Sequence, residues 1–253
     1  MEKNQLHQLL AVENDRRTKA GRIAVEAINT FQKKSEHFDG IVKVYTPYDE
    51  EKGAKIPAEI KEVVTTVSDK INYTQKAMIV GIDAQLSKEE TNGSGTAKAE
   101  LKVGEISFGE LSATSLLALE TQLIKVRDVY KSIPTLDPTK SWEPSKIDGK
   151  NIYTSKSDVK YRTEKLHTPL VLSEATKEHP AQVQIISTDK QVGKYETTYK
   201  SGKITPTQKS ELLGKVDTLI DKVKRARAKA NRVEVVKAKV GKKIFDYING
   251  EIL

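Results

Sequence analysis

The sequence predicts an α+β fold: an elongated antiparallel bundle of four heptad-type helices with a small β-hairpin and a β-rich insertion. Two observations lead to this prediction. In several long segments, apolar residues recur at alternating intervals of four and three residues, which is typical of helices that pack along a narrow seam. The segment 135–204 lacks this period and contains short alternating runs, which indicates strands.

The composition agrees with this interpretation. Of the 253 residues, 37% are hydrophobic, 31% charged and 6% aromatic, which suits helices with a narrow apolar stripe. The chain has no cysteine, which excludes disulfides, thiolate nucleophiles and cysteine-ligated zinc. No apolar run reaches the ~18–20 residues of a membrane helix, and residues 1–10 lack a signal-peptide pattern. We therefore expect a soluble, cytoplasmic protein that has no membrane partner.

The first predicted domain, residues 1–134, contains three of the helices. The first helix covers residues 3–35, and a polar break interrupts its apolar stripe at Glu13, Arg16 and Arg17. These side chains either form a polar seam layer that fixes the register of the bundle, or they face solvent.

The second helix is predicted to begin after Pro57. Its heptad positions hold Ile60, Val64, Val67, Ile71, Thr74 and Met78. A flexible turn at residues 92–95 ends it, and a period of two then predicts a β-hairpin near residues 96–108.

The third helix is predicted over residues 110–133. Its stripe is widened by Leu117 and Ile124, so we expect this helix to face more than one neighbour. The second predicted domain, the β-rich insertion 135–204, follows it. Short strands are expected there around residues 171–172, 183–186 and 195–199.

The last predicted domain, residues 205–253, holds a basic helix that completes the bundle, followed by an apolar tail. Thr205 is expected to cap the helix, Pro206 fits its first position and Gln208 completes a capping box. The predicted seam consists of Leu212, Val216, Leu219, Val223, Ala226, Ala230 and Val233. The tail contains an apolar patch of Ile244, Phe245, Tyr247 and Ile248.

Positive charge is concentrated in the segment 222–243. The segment contains ten basic residues and one acidic residue, Glu234, so its net charge is +9. Because the whole chain has a net charge of +8, the rest of the chain carries −1. The candidates for contact with phosphate or with an acidic partner are Lys222, Lys224, Arg225, Arg227, Lys229 and Arg232. A solvated helix is the alternative interpretation, because the charge surrounds the helix instead of following one stripe.

Three segments together resemble a conserved family of bacterial and bacteriophage proteins of unknown function. They are residues 116–142, with the sequence PTLDP and Trp142; residues 168–184, TPLVLSEATKEHPAQVQ; and residues 212–231. The family has an aromatic residue where this chain has Ser173. The resemblance implies a fold and a prokaryotic or viral context, but it carries no activity or functional residue with it.

No catalytic, nucleotide-binding or metal-binding motif is present, so we expect no cofactor and no metal. Glu174, Glu178 and His179 lie close together in the segment 168–184. A carboxylate beside an imidazole can serve acid–base chemistry, and these three residues are the candidate ligand-binding group. Surface charges that flank a turn at Pro180 are the alternative interpretation.

These observations predict a non-enzymatic homo-oligomer, a scaffold or sequestering protein that assembles through its helical seams and its apolar tail. A nucleic-acid-associated accessory protein acting through the basic helix is the first alternative. A small-ligand binder or enzyme that uses the β-rich insertion is the second.

Overall fold

Helices form where the apolar stripes predict them in this computed structural model, which describes residues 6–51, 53–175 and 179–232. The helices in these ranges are α1 Leu6–Lys33, α2 Val67–Asn92, α3 Ala113–Ser132 and α4 Pro206–Ala230. A short 3-10 helix, Ser35–Phe38, follows α1. The strands are β1 Asp39–Pro47, β2 Glu59–Lys61, β3 Lys98–Val103, β4 Ile106–Ser112, β5 Trp142–Pro144, β6 Tyr153–Ser155, β7 Asp158–Ser173 and β8 Gln182–Ser201.

The fold is α+β, but the predicted elongated helical bundle is wrong, because a large antiparallel sheet accompanies the helices. Six strands form the sheet in the order β2-β1-β8-β6-β5, with β7 paired to β8. β1 lies early in the chain, yet it pairs with β8 along its whole length, from Asp39 opposite Ser201 to Pro47 opposite Gly193. This pairing of distant segments depends on tertiary contacts, which a local period does not contain.

The second helix begins later than predicted. The Thr66 side chain caps α2 by accepting a hydrogen bond of 3.1 Å from the Asp69 backbone N–H, so the helix starts at Val67. Ile60 lies in β2 and Val64 is exposed, which makes the first two positions of the predicted heptad series wrong.

Two local predictions are confirmed. Thr205 and Gln208 form the capping box at the start of α4: the Gln208 N–H donates to Thr205 Oγ1 over 3.1 Å, and the Thr205 N–H donates to Gln208 Oε1 over 2.9 Å. The hairpin is also present, since β3 pairs antiparallel with β4 from Lys98 opposite Ser112 to Val103 opposite Ile106.

Two apolar clusters hold the helices together. The first lies among α1, α2 and α3, and its buried residues include Phe31, Phe38, Val67, Met78, Val129 and Ile133. The second lies among α3, α4 and β3, and it includes Leu101, Leu116, Leu123, Ile220, Val223 and Ala226. α3 contacts α1, α2 and α4, as its wide stripe predicted. Leu117 and Ile124, however, are exposed and belong to neither apolar cluster.

Ion pairs show that α1 and α2 run antiparallel. Lys70 Nζ on α2 lies 2.5 Å from Glu26 Oε1 near the end of α1, whereas Lys88 near the end of α2 contacts Glu13 near the start of α1. Within the described ranges, no helix has both the length and the apolar composition to cross a lipid bilayer.

Candidate functional site

The two longest strands, β7 and β8, extend beyond the rest of the sheet as a two-stranded ribbon. β8 pairs with β1 only between Gly193 and Ser201, whereas its pairing with β7 continues to Gln182. Among the described residues, the segments 163–173 and 182–191 therefore pair only with each other, and we call them the arm. An isolated pair of strands is at best marginally stable in water, so a partner that covered the arm would stabilise it.

The arm leaves the sheet at a tight junction. Tyr45 on β1 donates a hydrogen bond of 3.3 Å to the carbonyl of Val192. The pairing register shifts between Arg162 and Thr163, which leaves Val192 as an extra residue on β8. A β-bulge of this kind bends the strand and increases its twist, so a bend is expected where the arm begins.

Apolar side chains project from both faces of the arm. Successive residues of a strand point to opposite faces, and cross-strand partners such as Thr168 and Ile186 share one face. Three large aliphatic residues at paired positions lie on that face, Leu166, Leu170 and Ile186, and three lie on the other, Val171, Val183 and Ile185. All six are 41–67% exposed. An exposed apolar patch of this kind is typical of a surface that binds another protein.

The arm carries no net charge. Its described residues include two acidic and two basic side chains, and the strand register places them in opposite pairs: Glu164 faces Lys190, and Lys165 faces Asp189. Opposite charges across a strand pair stabilise the ribbon. Because nucleic-acid binding depends on neutralising phosphates with excess positive charge, the arm itself is not suited to it.

The predicted ligand group lies at the tip of the arm. Glu174 and His179 flank the tip, where both are exposed, and Glu178 lies outside the described residues. Further down the arm, His167 Nδ1 is 2.8 Å from the Ser187 hydroxyl oxygen. Within residues 6–51, 53–175 and 179–232, no group of three or more His, Asp or Glu side chains could hold a metal ion.

The basic residues proposed to contact phosphate lie on α4 or, in the case of Arg232, just beyond it. Arg227 Nη1 lies 2.8 Å from Glu120 Oε2, Lys224 Nζ lies 4.0 Å from Glu120 Oε1, and Arg225 Nε lies 2.8 Å from Asp221 Oδ2. Carboxylates therefore partly neutralise three of the six cations. The other three, Lys222, Lys229 and Arg232, are exposed. Residues 233–243 of the basic segment lie outside the described residues.

The predicted polar seam layer contains one buried residue and two exposed ones. Glu13 is only 5% exposed, and its carboxylate lies 3.4 Å from Lys88 Nζ on α2 and 3.8 Å from Arg17 Nε. Arg16 and Arg17 are exposed. Glu13 alone therefore lies between α1 and α2, and a role for it in fixing their register stays a prediction.

Glu90 has a strongly lowered pKa, and the groups that lower it join elements of the fold. A hydrogen bond from the Lys98 ammonium, together with bonds from the Ser112 N–H at 3.1 Å and the Ser115 hydroxyl at 2.9 Å, lowers the pKa of Glu90 from 4.5 to about 2. The carboxylate thereby joins the end of α2 to β3 and to the start of α3.

Sequence reasoning found strands in this region but missed the arm. It predicted three short strands, whereas the structure has strands of 16 and 20 residues. Pro169 lies within β7, although proline donates no hydrogen bond to a strand partner. β7 lies at the edge of the ribbon, where a missing donor is tolerated, so the strand continues through Pro169.

Comparison with known proteins establishes the family and nothing further. No curated protein and no solved structure matches the chain. A family profile, by contrast, matches residues 3–251, which is nearly the whole chain. The chain belongs to the family of unknown function DUF7873.

Proposed function

We propose that the protein is a non-enzymatic homo-oligomer, a scaffold or sequestering protein, in which the arm of one copy packs against the arm of a second copy. The main support for this proposal is the exposure of apolar side chains on both faces of the arm. A monomer leaves these side chains in water, whereas two arms packed face to face remove one apolar face of each from solvent.

A second copy suits the arm better than a charged partner does. The described arm residues have no net charge, so two arms can approach without repulsion. The opposite charges at Glu164 and Lys190 also allow each copy to present an acidic and a basic residue to the other. A two-fold arrangement, which uses the same surface on both copies, is the commonest symmetry of homo-oligomers.

The proposal assigns the interface to the arm and not to the helical seams. The seam residues of α3 and α4 fill the second apolar cluster within one chain, so little of either seam is available to a neighbour. The apolar tail lies outside the described residues, and its role in assembly stays a prediction. The proposal also includes a cytoplasmic location, in keeping with a chain that has no cysteine, and a bacterial or bacteriophage origin, in keeping with the resemblance.

Native mass spectrometry and light scattering of the full chain at micromolar concentration test this proposal. We expect a mass of at least two chains, each of 28.2 kDa. A variant with Leu170→Thr, Val171→Thr, Ile185→Thr and Ile186→Thr is expected to be a monomer, because it removes apolar surface from both faces. Threonine has the β-branched shape that strands favour, so the arm should still form.

The matched control replaces exposed apolar residues on a helix, in the variant Leu117→Gln with Ile124→Gln. Its oligomer should keep the mass of the unmodified protein. A monomeric unmodified protein, or dissociation caused only by the helix variant, would contradict the proposal.

A further inference from the structure

A cleft of about 410 Å³ opens between the sheet and the loop that joins α3 to β5. β1 and β8 form one side, and residues 137–142 form the other. Four lysines line it, namely Lys61, Lys140, Lys200 and Lys203, and we call it the lysine cleft. Its volume lies within the range of roughly 300–1,000 Å³ that is typical of small-molecule sites.

The loop side of the lysine cleft is held in place by hydrogen bonds. The Trp142 indole N–H donates to the Asp137 carbonyl over 2.8 Å. The Asp137 carboxylate accepts from the Thr139 hydroxyl at 2.7 Å and from the Thr139 N–H at 2.9 Å, and these bonds lower the pKa of Asp137. The indole N–H is thus already bonded, and the half-buried Trp142 ring is positioned before any ligand arrives.

Two of the lysines are held in place by short ion pairs. Lys203 Nζ lies 2.6 Å from Asp39 Oδ2, and Lys200 Nζ lies 2.7 Å from Asp148 Oδ1. The hydrogen bond to Asp148 raises the pKa of Lys200. Both side chains are only 14–15% exposed, so the ion pairs hold each ammonium group in one place.

The other two lysines are less tightly held. Lys140 Nζ lies 3.6 Å from the centre of the Tyr199 ring and 3.5 Å from Asp158 Oδ2. Lys61 is exposed and forms no ion pair with any residue that the structure describes. The lining contains two carboxylates, Asp39 and Asp137. Three more contact the lysines from outside the lining: Glu62 and Asp148 at Lys200, and Asp158 at Lys140. The cleft therefore has no excess of positive charge, and among the described residues Lys61 is the lining lysine that is left without an ion pair.

We propose that the lysine cleft binds a small phosphorylated molecule that carries a planar ring, of the nucleoside monophosphate class. Lysine ammonium groups bind phosphate as point charges, and Lys61 and Lys140 have the most capacity to do so. Trp142 offers an aromatic surface to the planar ring, because stacking on an aromatic side chain accepts any base. Tyr199 already carries the Lys140 ammonium over its ring. The site is independent of the arm, so it neither requires nor excludes self-association.

Trp142 is the only tryptophan of the chain, so tryptophan fluorescence reports on this cleft alone. Titration of the full chain with adenosine 5′-monophosphate should give a saturable fluorescence change with a Kd between about 1 µM and 1 mM. Calorimetry on the same samples provides a second readout. Adenosine and inorganic phosphate should each bind at least about tenfold more weakly, because adenosine lacks the phosphate and inorganic phosphate lacks the planar ring.

The variant Lys61→Gln tests the phosphate contact without breaking an ion pair between described residues. It should weaken nucleotide binding about tenfold at an unchanged melting temperature, whereas Lys215→Gln, an exposed position on α4, should have no effect. The proposal is overturned if neither fluorescence nor heat responds to nucleotide at about 10 mM. Equal weakening by both variants, or equally tight binding of adenosine or of phosphate alone, also overturns it. An oligonucleotide that binds more tightly than the mononucleotide would identify a nucleic-acid site instead.

Discussion

Gly193 lies directly against the ring of Tyr45: a Cβ atom at position 193 would stand 2.4 Å from the Tyr45 hydroxyl oxygen and 2.6 Å from Cζ. The ring is not free to retreat, because Tyr45 is buried and packs on Tyr195 with the ring centroids 4.9 Å apart. This contact joins β1 to β8 where the arm leaves the sheet.

We therefore expect Gly193→Ala to lower the free energy of unfolding by about 1–3 kcal/mol, the usual cost of forcing extra volume into a packed site. Urea denaturation measures the effect. Gly214→Ala is the control, because nothing lies within 4 Å of a Cβ at that helical position. It should raise stability by up to about 1 kcal/mol. Equal effects of the two substitutions would show that the Tyr45 contact is not tight.

The burial of Val223 on α4 leads to a second prediction. Val223 is fully buried in the second apolar cluster, so Val223→Asp should cost about 3–5 kcal/mol or prevent folding, because it leaves a charge unpaired in the core. Lys222→Asp, on the exposed face, should change the free energy of unfolding by less than about 1 kcal/mol. Thermal unfolding followed by circular dichroism compares them. Similar melting temperatures would mean that the helix presents a different face to the core.

The helices were the part of the fold that the sequence could predict. The capping box at Thr205 and the seam around Val223 depend on residues three and four positions apart, so both can be recognised from the sequence. The pairing of β1 with β8 cannot be recognised in this way. Ile41 faces Tyr199 across the sheet, and no local pattern identifies a partner so far along the chain.

The candidate sites were harder to predict for the same reason. The lysine cleft collects Lys61, Lys140 and Lys200 from separate parts of the sequence, and only tertiary structure brings them together. The arm was partly visible, because its apolar runs predicted strands. The exposure of the arm could not be predicted, because an alternation of apolar and polar residues also fits a strand with one buried face.

The network around Glu90 predicts a pH dependence. The pKa of Glu90 is about 2 in the folded protein, below its ordinary value of 4.5. The ionised carboxylate therefore stabilises the fold fully above about pH 4.5, and this contribution disappears as the pH falls towards 2. Because the side chain is partly exposed, we expect about 1–2 kcal/mol from it.

Glu90→Gln isolates this contribution. The difference between the unfolding free energies of the unmodified protein and the variant should be largest near pH 7 and should shrink steadily below about pH 4.5. Glu105→Gln, at the turn of the β3–β4 hairpin, is the control for removing one surface carboxylate. A difference for Glu90→Gln that does not change between pH 7 and pH 3 would mean that its charge contributes nothing.

The basic helix leads to the last prediction, which separates self-association from nucleic-acid binding. Arg225 faces Asp221, and Lys224 lies near Glu120, so part of the positive charge of α4 is already neutralised. We therefore expect only weak binding of DNA or RNA near 150 mM salt, measured by fluorescence anisotropy. Replacing Lys224, Arg225 and Arg232 with Gln should reduce any binding to all sequences alike and flatten its salt dependence by roughly one unit per lost contact. The mass of the oligomer should not change, because the arm is untouched. Tight binding at that salt, lost in the triple variant while the oligomer survives, would instead favour a nucleic-acid-associated function.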